Sequence, residues 1–278
     1  MLDIPTYQNG RESGSAGLRW PRREGLVLVA HGSQGWPDAM LLALAERLTS
    51  EHLDVSAAVL RGRPTLADAL STLACKVVHV VPVLMSQGQM AEALRARLPA
   101  RHRTRLVLHP ALGGHPVMPS VLGGLIERSC CEHGLSPGDT AVVLAGHGNA
   151  RHPAAGGVIR DLAQRLRARS GFAEVHGVFL EQPPMVEDWP RLSRRSSVLV
   201  VPCFLSAGRH AREDVPRRLR EAEGGGAGAH RRLCLAPPLA TATDGLTAIV
   251  RDLVSRDATL EPRHPEYAPS AASEIGCR

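Results

Sequence analysis

The chain repeats itself, and only the second copy keeps all of its polar words. The first copy reads LVLVAHGS over Leu26–Ser33 and VVHVVPVLMSQGQM over Val77–Met90. The second reads AVVLAGHGN over Ala141–Asn149 and SVLVVPCFLSAGRH over Ser197–His210. In each copy one apolar run ends in His-Gly, and another with an internal Val-Pro ends in a Gly-containing turn. His210 stands at that turn in copy two, where copy one has Met90. From His31 to His147 is 116 positions and from Pro82 to Pro202 is 120, so small insertions separate the copies. Such a repeat confines the chain to two similar units, with a site in one and a supporting surface in the other.

Each copy carries four short Val- and Leu-rich runs. They fall at Leu26–Ala30, Val55–Leu60, Val77–Leu84 and Arg105–His109, then at Ala141–Ala145, Glu174–Leu180, Ser197–Leu205 and Arg232–Leu235. Most are continuous rather than alternating, as expected of parallel strands covered on both faces. Helical periods lie between them. Leu41, Leu44, Ala45 and Leu48 form one apolar stripe, and Ile159, Leu162, Ala163 and Leu166 form its counterpart. Pro64 and Pro184 are expected near the starts of the next helices, where Pro is tolerated. Strand–helix alternation predicts an α/β fold of two tandem domains with open parallel sheets and a cleft between them. The expected divisions are a leader over 1–23, an N-terminal domain over 24–130, a C-terminal domain over 138–256 and a tail over 257–278. The joint is placed at Ser129–Asp139, and Gly224–Gly228 reads as a surface loop.

Composition removes several classes of function. No run of about 18 apolar residues occurs, so no membrane span is expected. The first residues lack the apolar core of a secretory signal. Six cysteines form no CxxC pair, which argues against zinc ribbons and iron–sulfur clusters. Cys75, Cys203 and Cys234 read as small core residues, and a cytoplasmic location with reduced thiols is expected. The net charge is +6, yet aromatics make up only 3%, too few for a base-stacking platform, and no nucleic-acid motif appears. A polyanionic small molecule suits the Arg surplus, because guanidinium pairs with carboxylate in a bidentate fork.

In open α/β sheets ligands bind beyond the carboxyl ends of the strands. His147, Glu181 and His210 fall at three such ends in the second half, and His31 at one in the first. Two imidazoles and a carboxylate suit a borderline divalent metal with open positions, and the same groups accept protons near neutrality. Metal insertion into a macrocycle needs both properties, since two N–H protons leave as the ion enters. His79 reads as a satisfied core residue, His109 and His115 as shaping a loop, and His152 as an exposed or outer residue.

Three segments carry a family resemblance: Val142–Gly148 ending in GHG, Phe179–Glu181 (FLE) and Val200–Pro216 (VVPCFLSAGRHAREDVP). They resemble the sirohydrochlorin chelatases of the CbiX type, which are class II tetrapyrrole chelatases. The last segment is the most specific, and the resemblance spans about Gly25 to Arg256. It implies two flavodoxin-like domains with sirohydrochlorin in the cleft. The implied activity is ATP-independent insertion of Co²⁺, with Fe²⁺ for siroheme or Ni²⁺ as alternatives. His147 and His210 match the metal-binding histidines, and Glu181 matches the acid that assists ion binding or proton removal. No cofactor beyond the substrate ion is implied.

The first half departs from that pattern. Arg61 stands where the acid would be and Met90 where the second His would be. His31 and Arg61 are therefore expected to face the substrate. Arg151-His152-Pro153 stands where the family often has Arg-Asp-Pro. A chain with its own two-domain cleft needs no partner to complete the site, so a monomer or homodimer is expected. Two other readings compete. One is a non-catalytic metal or tetrapyrrole carrier on the same fold. The other is a histidine-phosphatase-like hydrolase, disfavoured because Ala30 and Gly146, not Arg, precede the histidines.

Overall fold

The computed structural model describes residues 23–32, 37–99, 104–169, 171–172, 174–206, 208–224 and 231–257. The expected leader and tail, and residues 225–228 of the Gly-rich loop, lie outside these apart from Arg23 and Asp257. Eight strands form two four-stranded parallel sheets. In the first, β1 (Glu24–Ala30), β2 (Leu53–Val59), β3 (Val77–Pro82) and β4 (Arg105–Leu108) are ordered β2-β1-β3-β4. In the second, β5 (Thr140–Gly146), β6 (Glu174–Phe179), β7 (Ser197–Pro202) and β8 (Arg232–Leu235) repeat that order as β6-β5-β7-β8. This is the doubly wound arrangement expected of the flavodoxin-like class, with the direction of winding reversing beside β1 and β5. Every residue of β5 is buried, which its unbroken apolar sequence requires.

Helices cover both faces of each sheet. On one side of the first lie α2 (Leu66–Ser71) and α3 (Gln89–Arg97), sealing a core of Val27, Val29, Val78, Val80 and Leu94. On the matching side of the second, α6 (Trp189–Leu192) and α7 (Val215–Gly224) seal Val143, Ala145, Val198, Val200 and Trp189. The apolar stripes read from the sequence form α1 (Ala39–Leu48) and α5 (Gly157–Arg169). Asp38 caps α1 by accepting the Leu41 N–H at 3.0 Å.

The remaining helices are exchanged. Helix α4 (Met118–Glu132) follows the first sheet but packs on α5 and β7 of the second. Helix α8 (Thr243–Asp257) follows the second sheet but packs beside α1 of the first. Arg251 donates to the Arg47 carbonyl at 3.1 Å, and Arg165 to the Pro116 carbonyl at 2.9 Å, fastening both crossings. One apolar core therefore runs through both halves, from Leu26 and Leu41 through Leu122 and Leu246 to Leu144 and Leu199.

One local expectation needs correction. The segment from Ser129 is not a linker: α4 continues to Glu132, with Ser129 and Cys130 buried against the second half. Its apolar residues outweigh the polar composition that suggested a joint. Pro64 and Pro184 lie near helix starts as expected, Pro64 two residues before α2 and Pro184 two residues before the 3₁₀ turn Val186–Asp188 that leads into α6. Each follows a cis peptide bond in a loop, and its carbonyl accepts a strand N–H, from Val59 and Phe179 respectively, at 2.9 Å. The cysteines read as core residues are buried, and burial pushes the Cys203 thiol up to about 12.

Because the core is continuous, unfolding should be one cooperative transition. Leu122→Ala, at a fully buried α4 position, should lower stability by about 2–5 kcal/mol without splitting that transition. Denaturant titration followed by circular dichroism checks this; two resolved transitions would contradict it.

Candidate functional site

The site is assembled by strand pairing. β5 lies between β6 and β7, so the loops leaving these three strands open at one edge. Backbone bonds continue past the strand ends: Glu181 N–H donates to the His147 carbonyl at 2.9 Å, and Cys203 N–H to the Ala145 carbonyl at 2.8 Å. His147 and His210 consequently lie side by side, with ring centroids 4.8 Å apart and planes at 87°. The Glu181 carboxylate stands 3.7 Å from His147 Nδ1. The structure thus brings His147, Glu181 and His210 together.

Each imidazole has one nitrogen committed. His147 Nδ1 lies 2.9 Å from the Gly148 carbonyl, which can only accept, so Nδ1 carries the proton and Nε2 keeps its lone pair. His210 Nδ1 lies 2.7 Å from Asp214 Oδ2. That hydrogen bond, with Arg209 nearby, holds the Asp214 carboxyl below the usual carboxylate range. Phe204 stacks on the other face of His210, with centroids 6.1 Å apart. Among the described residues no three His, Cys, Asp or Glu side chains form a ready metal cage. Glu181 sits on the Nδ1 side of His147, not beside its free nitrogen. The arrangement is two neighbouring imidazoles with a carboxylate next to them, open to solvent.

Gly148 makes this turn possible. Its φ is +71°, and a Cβ there would come within 2.6 Å of Gln182 Cγ and 2.8 Å of Phe179 Cβ. Buried Gln182 accepts the Asn149 N–H at 2.8 Å, bracing the loop.

The first half keeps the same backbone without the chemistry. Gly32 has φ +96°, and Arg61 N–H donates to the His31 carbonyl at 3.0 Å, as Glu181 does to His147. His31 and Arg61 are exposed at the equivalent strand ends. The two loop edges meet where Gln89 Nε2 donates to His152 Nε2 at 2.8 Å. Buried His79 bonds His109 at 2.8 Å and Glu24 at 3.2 Å, so it is a satisfied core residue. Two surface hollows lie along outer strands β2 and β6, and neither is lined by His147, Glu181 or His210.

Sequence reasoning missed Asp214, Phe204, Gln182 and the Gln89–His152 bridge. Asp214 had a signal: it stands four positions after His210 on a helix, the spacing of same-face neighbours.

With this geometry established, comparison with known families is decisive. The sequence model of the CbiX family matches residues 25–129 and again 141–256. The chain belongs to the CbiX family. The double match follows the internal repeat. A curated relative from Halobacterium salinarum, named a probable sirohydrochlorin cobaltochelatase, is 26% identical over 69% of this chain and 75% of its own. The fold is shared with CbiX, described as the terminal enzyme for biosynthesis of siroheme in denitrifying bacteria. That match has a TM-score of 0.67 and 24% identity, covering 85% of this chain and all of that one. DR2241 of Deinococcus radiodurans, a multi-domain protein described as structurally similar to chelatases, matches with a TM-score of 0.69 and 24% identity. It covers 84% of this chain, which spans only 55% of that longer protein. No helix among the described residues of this CbiX-family chain is long and apolar enough to cross a membrane.

Gly148→Ala should lower stability by about 1–3 kcal/mol and weaken divalent-ion binding by shifting His147. Gly157→Ala, where an added Cβ meets nothing within 4 Å, should leave both unchanged. Thermal melting and Co²⁺ titration of the two variants compare them directly.

Proposed function

We propose that this chain is a sirohydrochlorin cobaltochelatase, inserting Co²⁺ into the macrocycle without ATP. The observation that carries the reading is the adjacent pair of imidazoles, each with Nδ1 hydrogen-bonded and Nε2 left as a donor. Two nitrogen ligands leave open coordination positions, so an ion can be held and then surrendered to four ring nitrogens. His147 is 44% exposed and Glu181 54%, so the ion can enter from solvent and the acid can pass protons to it. Glu181, beside His147, accepts a proton released from a pyrrole N–H as the metal–nitrogen bonds form. The name of the Halobacterium relative supports cobalt. The description of the denitrifier protein supports iron as the second metal to try.

His31 and Arg61 are assigned to the substrate. Both are exposed at the first sheet's loop edge, which the Gln89–His152 bond joins to the edge bearing His147. Arg61 then offers a guanidinium to a macrocycle carboxylate.

The deciding experiment is the visible spectrum of sirohydrochlorin with Co²⁺, anaerobic, with and without protein, then repeated with Fe²⁺. Insertion faster than the spontaneous rate is expected, and His147→Ala or His210→Ala should nearly abolish it while the fold persists. Full activity in both variants would overturn the site assignment. Binding of the macrocycle without acceleration would identify a carrier. In the same assay Arg61→Ala should weaken macrocycle binding about 10-fold, the loss of roughly one charge-assisted contact. Unchanged binding would remove Arg61 from the substrate site.

A further inference from the structure

Helices α3 and α7 occupy equivalent places but differ by one residue. Val215 fills in α7 the fully buried core position that Leu94 fills in α3. Leu94 lies four positions after Met90, whereas Val215 lies five after His210. A second marker gives the same offset. Arg97, seven after Met90, donates to the Leu60 carbonyl, and Arg218, eight after His210, donates to the Leu180 carbonyl at 2.9 Å. Each carbonyl directly precedes the strand-end residue, Arg61 or Glu181. The extra residue of the second half is absorbed in a π-helical turn over His210–Asp214 that leads into α7.

That insertion changes what can stand four positions after Met90 and its counterpart His210. In the first half the position is locked into the apolar core by Leu94. In the second the core contact passes to Val215, and the vacated position holds Asp214, whose side chain is 16% exposed. Its Oδ2 accepts the His210 Nδ1–H at 2.7 Å. Arg209 Nε stands 3.8 Å from Oδ1, holding the other side of the carboxylate.

We propose that Asp214 is a positioning residue for His210, fixing the Nδ1–H tautomer and turning the Nε2 lone pair toward the incoming ion, and that the π-helical turn is what seats it there. The metal role rests on the function proposed above; the tautomer does not. Carboxylate support of a ligand histidine both orients the ring and raises its basicity. His147 reaches the same tautomer through the Gly148 carbonyl, so the two ligands are set by different acceptors.

The test reads tautomer and affinity separately. Long-range ¹H–¹⁵N spectra of the metal-free full chain should show His210 protonated at Nδ1. Asp214→Ala should shift His210 toward the Nε2–H form while His147 stays unchanged. Titration with Co²⁺ alone, without macrocycle, should weaken by about 10- to 100-fold in Asp214→Ala. The isosteric Asp214→Asn should fall between wild type and Asp214→Ala, and it carries the test if the alanine variant does not fold. An Nε2–H tautomer in the wild type would overturn the proposal. So would folded variants that keep both the wild-type tautomer and an affinity within about twofold. Absence of metal insertion alongside the expected tautomer shift would count against the chelatase reading alone.

Discussion

The site depends on the double parallel pairing of β5. A strand hydrogen-bonded on both flanks cannot slide, because a one-residue slip would turn every side chain to the opposite face. Its end is thereby fixed against the ends of β6 and β7. The Glu181-to-His147 and Cys203-to-Ala145 backbone bonds carry that register beyond the sheet. Three side chains distant in sequence are thus held together by main-chain geometry, and the loops need to supply only the last turn. Gly148 supplies it, since its left-handed φ and its close approach to Gln182 and Phe179 leave no room for a side chain.

Electrostatics at the site follow from the backbone. Both ligand rings have their inner nitrogen occupied, one by a carbonyl dipole and one by a full carboxylate. One ring is backed by the Asp214 carboxylate, and the ring backed by the Gly148 carbonyl lies beside Glu181. On the function proposed above, a divalent ion would meet an asymmetric pair.

Much of this was legible in the sequence, for reasons that can be named. Buried parallel strands must be continuously apolar, so the Val-rich runs disclosed all eight strands, and the repeat aligned them into two sheets. A histidine directly after such a run has to lie at the carboxyl edge, which located His31 and His147, while the turn after β7 carried His210. The less legible features depend on contacts between distant segments. Nothing in α4 or α8 states which sheet its apolar face will meet, since Leu and Ile stripes carry no address. The Ser129–Glu132 segment looked like a linker because its polar residues are visible in sequence and its burial is not. Asp214 was overlooked for a different reason: an acidic residue on a helix is ordinarily solvated, and only the one-residue offset from α3 reveals that it occupies a former core position.

The exchange of α4 and α8 bears on why a half without a complete His/Glu/His set persists. Each sheet is roofed in part by a helix encoded in the other repeat, so neither repeat could be deleted without stripping its sibling's apolar face. The first repeat is then under selection as architecture even where it no longer supplies ligands. Its polar loops carry Arg61 and Met90 where the second repeat has Glu181 and His210, while its strands and α4 keep the apolar residues of the shared core. In an ancestor made of single repeats, the same crossing would have tied two chains together. Fusion would have turned an intermolecular interlock into an internal one, allowing one side to specialise without losing its counterpart.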